Sequence, residues 1–214
     1  MQLFVHRTWF QFRNMGHNRN YIHMLDGSVA DWEEQGGPVE AQGSAPVHPI
    51  VNSKDLDITH TTYKATDPQN IVTTKDMLEL VTQLSDGGLH PDAIWVDVRA
   101  PERFRGEIEE PRPGMRLGHI PGAKNIFFKD LLNPQNVLQL KPRDELERII
   151  ESGGISLSTD KRIIAYCGSG ASACSLVLAL DVCGKSPEQI YVYDASWSEW
   201  GALPDTPIVK DDDS

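Results

Sequence analysis

Tyr166-Cys167-Gly168-Ser169-Gly170-Ala171-Ser172-Ala173-Cys174 is the stretch on which the reading of the fold turns. It leaves an apolar run, Arg162-Ile163-Ile164-Ala165-Tyr166, passes two glycines and enters a helical pattern over residues 172–182 that Gly184 closes. Strand, glycine loop and helix follow one another without a spacer. Cys167 therefore stands at the carboxyl end of a strand, where open α/β sheets place their ligands. The backbone N–H groups of such a loop converge, and the following helix adds its positive end, so a thiolate is favoured over a thiol. Cys167 reads as a nucleophile, against the blander reading of an inert cysteine at a strand end. Cys174 and Cys183 fall on the helix itself and read as core.

Outward from this loop the pattern is regular from residue 71 onward. Thr73 or Thr74 caps a helix carrying Met77, Leu78, Leu80, Val81 and Leu84, which ends at Gly87-Gly88. Ala93-Ile94-Trp95-Val96-Asp97-Val98 is nearly continuous apolar sequence, as expected of a parallel strand covered on both faces. Asn125-Ile126-Phe127-Phe128 and Ile190-Tyr191-Val192-Tyr193 read as two further strands, and residues 144–150 as a helix ending at Gly153-Gly154. A short helix follows around Trp197. Strands alternating with helices predict a three-layer α/β domain with a central, mostly parallel sheet.

Residues 1–40 read differently: a helix through Trp9, Phe10, Phe12 and Arg13 stopped at Gly16, a strand at Tyr21-Ile22-His23-Met24-Leu25, and a helix from Ser28 through Trp32. Three such elements cannot bury their apolar faces on one another and need a partner surface. Residues 41–70, rich in Gly, Pro, Ser and Thr, read as a linker, and residues 209–214 as a frayed acidic tail. Leu25-Asp26-Gly27-Ser28 with Trp32 echoes Tyr193-Asp194-Ala195-Ser196 with Trp197 and Trp200.

Composition excludes several classes of function. The 214 residues carry 20 Lys+Arg against 31 Asp+Glu, a net charge of −11, which argues against phosphate-neutralising nucleic-acid binding. No apolar run approaches the roughly 18–20 residues of a membrane span. Three cysteines are too few for a disulfide framework or a four-thiolate zinc site and fit a reducing compartment, cytosol or mitochondrion. Residues 1–25 hold Arg7, Arg13 and Arg19 and no acid, a pattern also seen in mitochondrial transit peptides.

The loop chemistry narrows further. A cysteine phosphatase needs an arginine six residues after the cysteine to grip phosphate; here Ala173 stands there and the loop has no cation. A neutral, compact loop suits a softer group, a sulfane sulfur held as a persulfide. Val96-Asp97-Val98-Arg99, Arg103-Phe104-Arg105-Gly106, Glu110-Pro111-Arg112-Pro113-Gly114, Gly118-His119-Ile120-Pro121-Gly122-Ala123, the Cys-Gly-Ser-Gly loop and Tyr193-Asp194-Ala195-Ser196-Trp197 with Glu199-Trp200 together resemble the rhodanese-type sulfurtransferases. Within them, residues 71–208 are most similar to the C-terminal catalytic domain of the tandem-domain 3-mercaptopyruvate sulfurtransferases. Residues 1–40 resemble only the closing third of the N-terminal domain of those enzymes.

The resemblance implies transfer of sulfur from 3-mercaptopyruvate to Cys167, release of pyruvate, and passage of the persulfide sulfur to a thiol, thioredoxin or cyanide. It implies no cofactor and no metal. Its catalytic pair here is Cys167 with Ser169, which would donate to the developing enolate or shuttle a proton. Arg103 and Arg112 match the two arginines that hold the donor's carboxylate and ketone, a task for planar guanidinium forks. Gly168, Gly170, Ala171 and Ser172 complete the expected donor pocket. Asp97 and Arg99 are expected to pair behind the loop, with Asp194 and Ser196 supporting it from the next strand; His119 reads as a satisfied core histidine. Thiosulfate-preferring members carry basic residues directly after the cysteine, where Gly168 and Ser169 are neutral. Ala195 stands for the usual glycine, and Ala171-Ser172 for the usual Val-Thr.

The N-terminal domain of the family lends an aspartate and a histidine to the cleft, and nothing here matches them. The helices of residues 1–40 are expected to expose apolar surface around Trp9, Phe10 and Phe12, and to pack on the catalytic domain, form a homodimer or stay disordered. Two other readings stand beside mercaptopyruvate sulfur transfer: a thiosulfate sulfurtransferase, and a weakly active persulfide carrier or binding module.

Overall fold

The computed structural model describes residues 2–39, 64–85 and 87–211. In chain order it forms α1 (Gln2–Asn14), α2 (Val29–Glu34), β1 (Ile71–Val72), α3 (Thr74–Thr82), β2 (Ala93–Asp97), α4 (Pro101–Arg105) and β3 (Lys124–Asn125). A hairpin of β4 (Leu132–Asn133) and β5 (Asn136–Leu140) follows, then α5 (Arg143–Ser152), β6 (Arg162–Tyr166), α6 (Ala173–Val182), β7 (Ile190–Tyr193) and α7 (Ser196–Trp200). The linker expected at residues 41–70 lies outside the described residues up to 63, as does the tail from 212.

Five strands make one parallel sheet in the order β1-β7-β6-β2-β3. Its alternation decides the layers, because successive side chains of a strand leave on opposite faces. Val96 and Val98, Ile163 and Ala165, and Ile190 and Val192 face one core with α1, α5 and α6. Ala93 and Trp95, Ile164 and Tyr166, and Tyr193 face the other, with Met77 and Leu80 of α3 and Trp197 and Trp200 of α7. Both faces are buried, which explains why β2 and β6 read as unbroken apolar runs. α6 is buried along nearly its whole length, so its sequence has no polar stripe.

Three expectations need correction. Only Lys124 and Asn125 of the run at residues 125–128 form strand; Ile126 and Phe128 still donate to Asp97 O and Val98 O, but a 3₁₀ turn begins at Phe128. Among the described residues nothing pairs with residues 21–25 in a ladder: a 3₁₀ turn at Arg19–Tyr21 leads into extended chain whose Ile22 and Met24 pack on the core. Trp9 and Phe10 are buried at 8% and 5% exposure, packed with α6, while Phe12 remains half exposed. Each such burial stabilises by about 1.5–3 kcal/mol, which explains how α1 finds its surface. At the other end Val209 is held by two backbone hydrogen bonds to His119, of 2.9 and 3.0 Å, so the chain is anchored through its first tail residue.

Candidate active site

β6 delivers Cys167 to a pocket of about 280 Å³ at the carboxyl edge of the sheet. Cys167, Gly168, Ser169, Ala171 and Ser172 line it, facing Arg103, Glu110, Arg112, Met115 and Phe128, with Trp197 and Ser198 closing one side. A larger cavity of about 1040 Å³ lies between α1, the extended segment after it, the hairpin and α6. No cysteine lines it, and the chemistry belongs with Cys167. Among the described residues no cluster of His, Cys, Asp and Glu could hold a metal, and no helix is long and apolar enough to cross a membrane.

Cys167 is itself buried at 2% exposure and fixed through its backbone. Its N–H donates to Ser196 Oγ at 3.2 Å, and its carbonyl accepts from Trp197 N at 3.0 Å. Gly168 O accepts from Ser198 N at 2.9 Å and from Arg112 Nη1 at 3.3 Å. The loop is thus tied by its carbonyls. Among the described residues, none of the backbone N–H groups of residues 168–172 donates to a protein acceptor. Donors left without a protein partner just ahead of a helix N-terminus are the groups that can receive an anion. The other two thiols are out of play: burial pushes Cys174 up to about 12 and Cys183 up to about 11.

Not every expected pocket residue faces it. Gly170 turns the other way, with φ of +77°, and a Cβ there would meet Asp194 O at 2.7 Å. Asp194 and Ser196 stand behind the loop, Ser196 Oγ donating on to Tyr193 O at 2.9 Å. Asp97 and Arg99 pair, fully buried, with Arg99 Nη2 on Asp97 Oδ2 at 2.6 Å and the guanidinium 4.2 Å over the Trp197 ring. His119 is a core histidine, stacked on Phe104 with Nδ1 2.8 Å from Phe104 O.

The two arginines differ more than their shared motif suggests. Arg103 is already engaged: Nε and Nη2 both donate to the Glu110 carboxylate. The same Glu110 oxygen accepts from Arg99 Nη1 at 2.7 Å, so Asp97, Arg99, Glu110 and Arg103 form one chain of charge from sheet to pocket. A Cβ on Gly168 would come within 3.3 Å of Arg103 Nη2, so glycine leaves that guanidinium room over the loop. Arg112 is exposed and, among the described residues, pairs with no carboxylate. Glu110 stands in the sequence only as one letter of the Glu-Pro-Arg-Pro-Gly motif, and the signal for its role is the crowd of arginines around it, Arg99 and Arg103 among them.

A Rhodanese-like domain model matches residues 77–203. Thiosulfate/3-mercaptopyruvate sulfurtransferase 1, mitochondrial, of Arabidopsis thaliana is 34% identical over 211 residues, covering 94% of this chain and 52% of that protein. Human 3-mercaptopyruvate sulfurtransferase is 36% identical over 194 residues, covering 91% and 57%. The solved structure of Tum1 from Saccharomyces cerevisiae superposes with a TM-score of 0.72 at 25% identity, over 98% of this chain and 66% of that one. The chain spans between half and three fifths of the length of these two curated relatives. With a parallel sheet, a cysteine loop at its carboxyl edge and a family match over more than half its length, the chain belongs to the rhodanese-like domain family.

Proposed function

We propose that this chain transfers sulfane sulfur from 3-mercaptopyruvate to a thiol acceptor through a Cys167 persulfide. The observation that carries the reading is the pairing of one pocket-lining cysteine with unpaired loop N–H groups and a guanidinium, Arg112, that meets no carboxylate among the described residues, in a cavity of small-molecule size. The Cys167 thiolate attacks the donor's sulfur; the S–S bond forms, the C–S bond breaks and its electron pair leaves as the enolate of pyruvate. Ser169, exposed at the loop tip, donates to that enolate oxygen, and a proton from water completes pyruvate. An acceptor thiolate then attacks the outer sulfur and Cys167 is released as thiolate. The loop N–H groups stabilise the persulfide anion between the two halves.

Arg112 takes the donor's carboxylate bidentately, and Arg103, held by Glu110, reaches the ketone with its remaining edge. No histidine lines the pocket among the described residues, and of its three serines Ser169 is the exposed one. Residues 1–40 are read as the closing part of a second rhodanese-like unit, 41–70 as its linker and 71–208 as the catalytic unit. The acceptor is a small thiol or thioredoxin in a reducing compartment, cytosol or mitochondrion; the Arabidopsis relative is named as mitochondrial.

The test is pyruvate release from 3-mercaptopyruvate with a thiol acceptor, beside sulfur transfer from thiosulfate. Pyruvate release that Cys167→Ser abolishes supports the reading. Turnover on thiosulfate alone makes the chain a thiosulfate sulfurtransferase. Sulfur loading without pyruvate release leaves a persulfide carrier. Arg112→Lys is expected to raise KM for mercaptopyruvate more than Arg103→Lys, since only the former loses a fork that no carboxylate already holds.

A further inference from the structure

The catalytic loop has a support that comes from outside residues 71–208. Arg7, on α1, reaches across to Asp194 and forms an ion pair through Nη1, with four fifths of its side chain covered. A Cβ on Gly170 would lie 2.8 Å from Asp194 Oδ1 and 3.1 Å from Arg7 Nη1. The loop backbone is therefore pressed onto the pair, and at its φ of +77° nothing but glycine fits. The same guanidinium also interacts with Cys174, whose Sγ donates to Gly170 O at 3.5 Å.

α1 is held in place independently of Arg7. Trp9 and Phe10 are buried against α6, His6 Nδ1 lies 2.9 Å from Ser175 Oγ, and Arg13 binds Asp181 through two nitrogens at 2.9 and 3.1 Å. The cation is thus delivered by a rigid helix rather than a mobile end. Residues 167–174 contain no cation of their own, so Arg7 is the positive charge set against the loop's rear shoulder.

We propose that Arg7 is a positioning residue for sulfur transfer. It clamps Asp194 and Gly170 so that the loop keeps the shape in which its N–H groups are left open. The proposal rests on the sulfur-transfer reading and deepens it: α1 becomes part of the reactive site rather than a cover for α6.

The experiment uses the full chain with Arg7→Met, Arg7→Lys and Asp194→Asn. The first readout is the pH dependence of Cys167 alkylation by iodoacetamide, taken in the Cys174→Ala Cys183→Ala background. The second is single-turnover loading of sulfur from 3-mercaptopyruvate and from thiosulfate. Arg7→Met is expected to move the alkylation midpoint up by about one pH unit and slow loading roughly tenfold. Arg7→Lys should restore the midpoint, keeping an ion pair with Asp194, and only part of the loading rate, losing the fork. A folded Arg7→Met with the parent's alkylation profile and loading rate overturns the proposal. Should that variant not fold, Asp194→Asn, which keeps shape and cuts the pair, overturns it by the same result. A parent that loads no sulfur from either donor sinks the sulfur-transfer reading instead, while the alkylation profiles still decide whether Arg7 acts on the loop.

Discussion

Two turns in this chain are spelled almost alike and end in different structures. Leu25-Asp26-Gly27-Ser28 leads into α2 and Trp32; Tyr193-Asp194-Ala195-Ser196 leads into α7, Trp197 and Trp200. In the first, Gly27 takes the positive φ, at 133°, and Ser28 caps its own helix in a reciprocal box with Asp31. Leu25 and Trp32 stay nearly half exposed. In the second, the positive φ of 54° falls on Ser196, and α7 has no side-chain cap. The Ser196 hydroxyl serves Tyr193 and Cys167 instead, and both tryptophans are fully buried. What separates them is the sheet. β7 lies parallel to β6, so the turn leaving β7 abuts the loop leaving β6. Among the described residues the chain before Asp26 pairs with no strand, and its turn closes on itself. A serine held at positive φ costs of order 1–3 kcal/mol and persists only where its surroundings over-determine it. The strained copy is the one beside the nucleophile.

The largest effect that would test this contrast is a tryptophan swap. Trp200→Ala removes a side chain with no exposed surface and an indole N–H bonded to Pro207 O at 2.9 Å. It is expected to cost about 3–5 kcal/mol in urea unfolding. Trp32→Ala removes a ring that is 44% exposed, and the expected cost is below about 1 kcal/mol. Equal costs would mean that the first turn is packed as firmly as the second.

A second test separates the halves by pH. Burial lowers His6 from 6.5 to about 4, so the folded chain keeps it neutral where the unfolded chain would protonate it. Its contribution is whole above pH 6.5 and declines as pH falls towards 4, by about 3 kcal/mol in all. His6 sits at the contact of α1 with Ser175, so amide exchange in α1 should quicken at pH 5 before that of β6. Simultaneous loosening of α1 and β6 would show that the N-terminal segment and the catalytic unit unfold as one.

Much of this architecture was legible before any coordinates, and the illegible parts share a physical cause. β2, β6 and β7 announce themselves because burial on both faces leaves only apolar letters. The Cys167 loop is legible because its glycines and its position between strand and helix are local facts. The hairpin of β4 and β5 is not, since its Asn136, Gln139 and exposed Val137 carry no alternation that a buried strand would impose. Arg7 pairs with an aspartate 187 residues away, a contact that no local pattern encodes. Trp9 and Phe10 were legible as apolar and illegible as buried, because burial depends on α6 being there to receive them. Gly170 was legible as a loop glycine, but which face it shows is set by Asp194 in the turn that leaves β7.

The smallest effects sharpen the comparison most, because they act on the two serines themselves. Ser28→Ala breaks a surface capping box and is expected to cost about 1 kcal/mol, seen as fraying of α2 alone. Ser196→Ala leaves the buried Cys167 N–H without its acceptor, at about 1–3 kcal/mol, and keeps the strained backbone. Ser196→Gly loses the same acceptor but relieves the φ of 54°, so it should be the more stable of the two by up to about 1 kcal/mol. Both Ser196 variants should slow alkylation of Cys167 alike, because both free the peptide that carries it, and Ser28→Ala should leave that rate unchanged. If Ser196→Gly recovered the parent's alkylation rate as well as stability, backbone strain and not the Ser196 hydroxyl would be what shapes the loop. The second turn would then differ from the first by conformation alone.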